Sequence, residues 1–257
     1  MLGVLFCESH TKTLCAIQNA VPSPFLSLSP KFRILNRTKH DKMDYNVVLT
    51  KGGSTNDMNT VEPIREMKHI QALRAVLRNQ SLRNELLFVL GINSGLRISD
   101  ILTLKAGDVL RGSGKPRTDL TIVEKKTGKT KRFYLGDTVK KLLERYAQHE
   151  HPRMEDYLFP SRKHTGRPIR RERAWEILNQ AAEIIGLVER DHEGKLVSGR
   201  IGTHTLRKTF GYHAYRSGVD LALLQDLFNH ASERTTLKYI GITEEHKKAV
   251  YLRLDLG

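Results

Sequence analysis

The chain has 257 residues, of which 39% are hydrophobic and 28% charged, and its 43 lysines and arginines exceed its 28 aspartates and glutamates by 15. This composition supports a folded core, and no apolar run approaches the roughly 18–20 residues of a membrane-spanning helix, so we exclude a disordered chain and expect no membrane partner. Two cysteines in one N-terminal segment are too few for a disulfide framework or a four-ligand zinc site, which leaves a cationic protein expected in the cytoplasm.

The excess of positive charge indicates a polyanionic partner. Lysine and arginine on a surface attract phosphates over about a Debye length, so nucleic acid is favoured. A charge that only confers solubility is the alternative. A membrane-surface helix is disfavoured because the basic residues are spread over many segments.

Residues 1–57 have a different pattern from the remainder of the chain. Pro22, Pro24 and Pro30 lie there among short apolar runs that follow no regular period. No basic segment precedes a long apolar stretch, as it does in a secretory signal. We therefore predict a poorly ordered extension over residues 1–57 and a folded domain over residues 58–257.

Helical spacing of apolar residues begins after Pro63, which suits the first turn of a helix. The repeating positions of this helix are Ile64, Met67, Ile70, Leu73 and Leu77. Ser81 can cap a second helix that ends near Gly95. The core-facing positions of the second helix are Leu86, Leu87, Val89 and Leu90. A short helix over residues 99–104 follows.

A hairpin interrupts the helices, with Thr127 and Gly128 in its turn. The strand residues that define it are Leu120, Ile122, Val123, Phe133 and Leu135. Residues 187–200 fit a loop or a small hairpin. Further helices are predicted over residues 138–149, 169–185, 203–217, 220–228, 232–239 and 244–254. The fold class is therefore mostly α (α+β), a helical bundle with a small antiparallel sheet on one flank.

Two kinds of site can be set aside. Gly114-Lys115 and Gly128-Lys129-Thr130 look like the ends of phosphate loops, but the residue where each loop's first glycine belongs is a valine. His149 and His151 stand without further metal ligands nearby in the sequence, so a solvated helix end explains them better than a metal site.

Residues suited to phosphate chemistry recur in order along the folded domain. Arg97 follows the helix-ending Gly95, and the hairpin turn carries several lysines. His204 and Arg207 share a helix face at i and i+3, and a guanidinium fork suits two phosphate oxygens. Taken alone, this His-x-x-Arg pair would be an ordinary surface feature. It is followed by Asn229-His230 and, nine residues after the histidine, by Tyr239.

This ordered set resembles the tyrosine recombinases, also called phage integrases, over about residues 60–257. The resemblance implies their catalytic-domain fold and a site-specific recombinase that cuts and rejoins DNA strands through a 3′-phosphotyrosyl intermediate. Integration, excision, inversion and resolution share this chemistry. The residues that match the family's catalytic set are Arg97, Lys126, His204, Arg207, His230 and Tyr239.

The roles carried over are consistent with the chemistry of each residue. Arg97 and Arg207 would stabilise charge on the phosphate oxygens, with a hydrogen bond from His230. A tyrosine hydroxyl has an ordinary pKa of about 10, so Tyr239 needs assistance, and His204 is placed to accept its proton.

The leaving deoxyribose oxygen also needs a proton, and the resemblance assigns this role to Lys126, preceding Thr-Gly in the turn. Lys129 is the second choice, because a turn with several lysines resists assignment.

The resemblance implies no nucleotide cofactor and no catalytic metal. The partners it implies are double-stranded DNA, further copies of the chain in a synaptic tetramer, and a partner recombinase or an accessory DNA-bending protein. The segment after Tyr239, about residues 243–257, resembles the part by which family members dock onto a neighbour. The alternatives are an accessory DNA-binding protein with a decayed site and a DNA-relaxing topoisomerase of similar chemistry.

Two features depart from the family. The usual glycine before the third-box histidine is Asn229, and asparagine is the residue that, after glycine, best tolerates a left-handed helix end. Residues 1–57 are too short for the separate helical domain that clamps DNA in typical members. We therefore expect a catalytic domain without a full core-binding domain.

Several other residues carry smaller expectations. Asp100 either orients Arg97 or favours a helix start, Trp175 is expected as a packing anchor in preference to a base-stacking residue, and Tyr212 and Tyr215 are the alternative nucleophiles. The core positions expected in the helix over 220–228 are Leu221, Leu223, Leu224, Leu227 and Phe228. Two basic clusters are expected to contact the DNA backbone. They are residues 125–132, five of which are basic, and the set Arg162, Lys163, Arg167, Arg170, Arg171 and Arg173.

Overall fold

The computed structural model describes residues 61–124, 128–163, 166–194, 196–199, 201–242, 248 and 251–252, and helices predominate among them. These residues belong to one compact unit, Ser54–Gly257. The predictions for residues 1–57, for Lys125–Thr127 and for most of a last helix over 244–254 lie outside the described residues. Within the described part, none of the helices has the length and apolar character required to cross a membrane.

The first two helices, α1 (Met67–Gln80) and α2 (Leu82–Ser94), meet at Ser81. The Ser81 hydroxyl accepts a hydrogen bond from the Asn84 amide at 3.2 Å, which confirms the predicted cap. The predicted start near Pro63 is wrong, because the Ile64 carbonyl lies 2.9 Å from Nε2 of His213 instead of accepting from a helical amide, and Glu66 has an extended backbone. Met67 is consequently not a core residue and is 56% exposed.

The remaining helices follow the predicted order. They are α3 (Ile98–Ile101), α4 (Ala106–Val109), α5 (Asp137–Glu150), α6 (Arg171–Ile184), α7 (Thr203–Arg216), α8 (Leu221–Phe228) and α9 (Glu233–Tyr239). α4 is not among the predicted helices, because four residues are too few to show a helical period. His149 is exposed at the end of α5, as the solvated-end interpretation requires.

The predicted hairpin consists of β1 (Asp119–Val123) and β2 (Thr130–Tyr134), which pair antiparallel with Leu120 opposite Phe133 and Ile122 opposite Lys131. Side chains alternate between a buried and an exposed face, so Val123 is 64% exposed while Leu120 is buried. A second, smaller hairpin, β3 (Glu189–Arg190) and β4 (Leu196–Ser198), occupies the segment expected to be a loop or a small hairpin.

The core surrounds α2, whose residues 84–91 are all buried between α1, α5 and α7. Two expectations about packing are wrong. Leu223 is 52% exposed because α8 buries the face of Leu224 and Phe228, and Trp175 is 42% exposed on α6. The predicted fold class, a mostly helical bundle with a small antiparallel sheet, is confirmed.

Candidate active site

The end of α2 forms the first part of the site. Gly95 has a left-handed backbone, φ 64°, and a Cβ placed there would lie 2.5 Å from Cδ1 of Phe210. Both constraints require glycine. The Gly95 carbonyl accepts a hydrogen bond from Nη1 of Arg207 at 2.6 Å. The turn that precedes Arg97 therefore also binds the side chain of Arg207.

Arg207 joins three segments from its place on α7. Its side chain is only 3% exposed, and its Nη2 donates to the carbonyl of Phe228 at 2.9 Å, at the end of α8. The guanidinium carbon lies 4.6 Å from the centre of the Phe228 ring. Burial lowers the pKa of Arg207, and Tyr239 opposes that shift. Arg207 is a fixed cation beneath the candidate nucleophile.

Arg97 is held by a carboxylate that the analysis of the sequence did not single out. Its Nη1 lies 2.9 Å from Oε1 of Glu124, which is 1% exposed at the end of β1. The amide of Glu124 donates to the carbonyl of Lys129, and its carbonyl accepts from the Gly128 amide. The first arginine is thus tied to the base of the hairpin turn that bears the lysines.

Tyr239 ends α9 with its hydroxyl directed at His204. The hydroxyl lies 3.4 Å from Nδ1 of His204, and the ring packs edge-on against His230, with 4.9 Å between the ring centres. Phe228 contacts the same ring at 5.5 Å. Burial raises the pKa of Tyr239, while Arg207 and Arg97 oppose that increase. The positive charges of Arg207 and Arg97 thus favour the phenolate form of Tyr239, which burial alone would disfavour.

The surroundings of both histidines favour the neutral imidazole. Burial is the main cause that lowers the pKa of His230 to about 4, and the positive charges of Arg207 and Arg97 add to this shift. His204 is an exposed residue, yet protein around its ring excludes some water, and this desolvation lowers its pKa, with Arg171 as the next cause. A neutral imidazole has one nitrogen free to accept a proton. His230 Nδ1 is fixed by a hydrogen bond to Oγ1 of Thr236 at 3.1 Å.

The hairpin lies against the end of α8 through two lysines. Nζ of Lys131 donates to the carbonyls of Asp226 and Leu227 at 3.0 and 3.1 Å, and Nζ of Lys129 donates to Oδ1 of Asn229 at 3.1 Å. Asn229 has φ 53°, which confirms the left-handed helix end expected there. The prediction for Lys126 lies outside the described residues.

The structure therefore brings together Arg97, His204, Arg207, His230 and Tyr239. Two neighbours were missed, Glu124 and Lys131. A signal for both was present, because positions 120, 122 and 124 and positions 131, 133 and 135 alternate onto the inward face of the hairpin. A charged residue on that face predicts a buried partner.

The other expectations have mixed outcomes. Asp100 is buried in α3, and its negative charge opposes the lowering of the pKa of Arg207. Tyr212 is buried beneath the guanidinium of Arg65, 5.7 Å from its ring centre, and Tyr215 is half-buried. Of the three candidate tyrosines, Tyr239 is the one whose hydroxyl is hydrogen-bonded to His204.

All six residues of the second basic cluster are exposed. The positive charge of Arg171 lowers the pKa of His204. The pKa of Arg83 is lowered mainly by burial, and the positive charges of Arg162 and Arg173 lower it further. The cluster therefore extends the positive surface away from the candidate site over the start of α6.

Comparison with known proteins matches the phage integrase family over residues 65–246, and the chain belongs to this family of tyrosine recombinases. It is 41% identical over 194 residues to a probable integrase/recombinase, YoeC, of Bacillus subtilis, covering 76% of this chain and 97% of that protein. It is 29% identical to the tyrosine recombinase XerD of Oceanobacillus iheyensis, over 66% of this chain and 54% of XerD.

The fold is shared with solved recombinases. A crystal structure of XerA recombinase superposes with a TM-score of 0.57 at 18% identity, covering 76% of this chain and 66% of that one. XerH recombinase bound to its difH substrate gives a TM-score of 0.56 at 20% identity, over 73% of this chain and 51% of XerH. The chain spans about half the length of the XerD relative.

Proposed function

We propose that this tyrosine recombinase breaks and rejoins DNA at specific sites, with Tyr239 as the nucleophile. The observation that carries the proposal is the Tyr239 hydroxyl, 3.4 Å from His204 Nδ1 and within electrostatic reach of Arg207 and Arg97. Attack of this oxygen on a DNA phosphorus would form a phosphotyrosyl ester and release a deoxyribose hydroxyl. The reverse attack by a hydroxyl of another strand would rejoin the DNA.

Each step has a candidate residue. The neutral imidazole of His204 accepts the proton of the Tyr239 hydroxyl as the phosphorus–oxygen bond forms. Arg97 and Arg207 stabilise the added charge on the nonbridging oxygens, and because Arg207 is fixed before the reaction, little reorganisation is required. With its proton on Nε2 and Nδ1 accepting from the Thr236 hydroxyl, His230 donates a further hydrogen bond through Nε2.

Residues 58–257 are the catalytic domain in this proposal, and double-stranded DNA is its substrate. Exchange of strands between two sites requires two cuts on each DNA, so four copies of the chain act together in a synaptic tetramer. A partner recombinase or an accessory DNA-bending protein is the further partner we propose. The structural relatives solved with DNA support the substrate class.

The proposal is tested by trapping the covalent product. The protein is incubated with sheared DNA of its host, denatured and digested, and nucleotide-bearing peptides are identified by mass spectrometry. We expect the adduct on Tyr239 and a recurrent DNA sequence beside it. Supercoil relaxation of plasmids lacking that sequence would instead indicate a topoisomerase, and binding without any adduct would indicate an accessory protein.

The lysine that protonates the leaving oxygen can be identified with a sulfur substitution. A substrate with sulfur in place of the leaving oxygen needs no proton, because a thiolate is a good leaving group. We expect Lys126→Ala to slow cleavage of ordinary DNA by about 10²–10³-fold and to cleave the sulfur substrate nearly as well as the unaltered protein. Lys129→Ala is the matched control, since Lys129 binds Asn229. Selective rescue of Lys129→Ala would reverse the assignment.

The basic cluster on α6 predicts a strong dependence of DNA affinity on salt. Each phosphate contact contributes about 0.9 to the slope of log affinity against log salt. We expect Arg170→Gln to reduce this slope by about 1 in a fluorescence-anisotropy titration. Arg153→Gln, in an exposed pair with Asp156, carries the same charge change and should leave the slope unaltered. An equal slope for both variants would contradict a DNA-facing cluster.

A further inference from the structure

Residues 61–65 precede α1 without regular secondary structure, and we refer to them as the strap. The strap runs along α7 and is bonded to it at two backbone atoms of Ile64. The Ile64 amide donates to Oγ1 of Thr209 at 2.9 Å, and its carbonyl lies 2.9 Å from Nε2 of His213. Ile64 itself is buried in the core. The position of the strap on α7 is therefore well defined.

One end of the strap reaches Tyr239 through a buried lysine. Nζ of Lys208 donates to the carbonyl of Val61 at 2.8 Å and lies 5.3 Å from the centre of the Tyr239 ring. Lys208 is 5% exposed, so this ammonium group is enclosed between the strap and the aromatic ring. A cation at this distance from a ring is attracted to it, more strongly where water is excluded.

The other end of the strap contacts the chain just after Tyr239. Nη2 of Arg65 donates to the carbonyl of Gly241 at 3.2 Å and is paired with Glu62 at 3.0 Å. Gly241 has φ 77°, and a Cβ there would lie 3.2 Å from atoms of Arg65, Glu62 and Pro63. The glycine thus permits a close approach between the strap and the end of α9.

We propose that the strap is a positioning element for Tyr239, with Arg65 and Lys208 as its two points of attachment. The inference rests on the proposed function, because it concerns the place of the same nucleophile. α9 has seven residues, and a helix this short depends on tertiary contacts for its stability. Arg65 and Lys208 supply such contacts on either side of the nucleophile. Displacement of a reacting group by about 1 Å can reduce the rate by about 10²-fold.

The test measures the rate of covalent cleavage separately from DNA affinity. Arg65→Gln removes the guanidinium and leaves the buried contacts of Ile64 unchanged. At saturating DNA we expect the cleavage rate to fall about tenfold, with the dissociation constant for DNA within twofold of the unaltered protein. Arg65→Lys can still donate to the Gly241 carbonyl and should restore most of the rate. Lys208→Met should lower the rate in the same manner.

The control is Arg153→Gln, which loses the same charge and an exposed ion pair elsewhere. Melting temperatures identify any variant that is simply unfolded. A cleavage rate for Arg65→Gln equal to that of the unaltered protein would overturn the inference, as would an equal loss in Arg153→Gln or a failure of Arg65→Lys to restore the rate. Failure of the unaltered protein to form any adduct would overturn the proposed function instead.

Discussion

Replacement of Tyr239 by phenylalanine is expected to eliminate the covalent protein–DNA product. The substitution removes the attacking oxygen, and within the described part of the chain Tyr239 supplies the hydroxyl hydrogen-bonded to His204, so the loss should exceed about 10⁴-fold. The phenylalanine ring keeps the contacts with Phe228 and His230, while the hydrogen bonds of the hydroxyl with His204 and Arg207 are lost. Stability should therefore fall by about 1–3 kcal/mol.

The measurement uses a duplex nicked next to the cleavage site, from which the released fragment diffuses away so that religation cannot occur. Denaturing electrophoresis then shows the protein joined to labelled DNA. Tyr212→Phe and Tyr215→Phe are the matched controls and should form the product normally. Product formed by Tyr239→Phe, or lost in either control, would remove Tyr239 from its role.

Replacement of Arg97 by glutamine should have the second largest effect. Loss of one fixed donor from a site of developing negative charge reduces rates by about 10²–10³-fold, and we expect this decrease in cleavage. The same change takes from Glu124 the arginine that faces it at 2.9 Å, and breaking a buried ion pair costs about 3–5 kcal/mol. A loss of activity alone would thus leave catalysis and folding confounded.

The double variant Arg97→Gln and Glu124→Gln separates the two effects. Two amides replace both charges of the pair, so neither charge remains without the other and the free energy of unfolding should return towards that of the unaltered protein. Cleavage should remain as slow as in the single variant. Cleavage that recovers together with stability, measured by urea unfolding and by the nicked duplex, would show that Arg97 acts through the fold alone.

Much of the site could be predicted from the sequence because its parts are local. Gly95 before Arg97, the spacing of His204 and Arg207 on one helical face, and the left-handed Asn229 each follow from a few adjacent residues. Backbone conformation and helical period are short-range properties, so the sequence contains them directly.

The contacts between distant segments could not be predicted in this way. Ile64 and His213 are 149 residues apart, and the contact of the Ile64 carbonyl with His213 occupies the acceptor that a helical turn begun at Pro63 would use, so the first helix begins at Met67. Likewise, the apolar period of α8 does not say which leucine faces solvent, and Leu223 is exposed because α8 packs through the face that carries Leu224 and Phe228.

The family, the order of the helices and hairpin, and the residues capable of phosphate chemistry are properties of residue type and local spacing, so the amino-acid order is enough to predict them. The contact of Glu124 with Arg97, the attachment of the hairpin to α8 by Lys131, and the place of the strap beside Tyr239 arise when distant segments pack together. These pairings are selected by burial, because a charge withdrawn from water requires a partner that the whole fold must deliver.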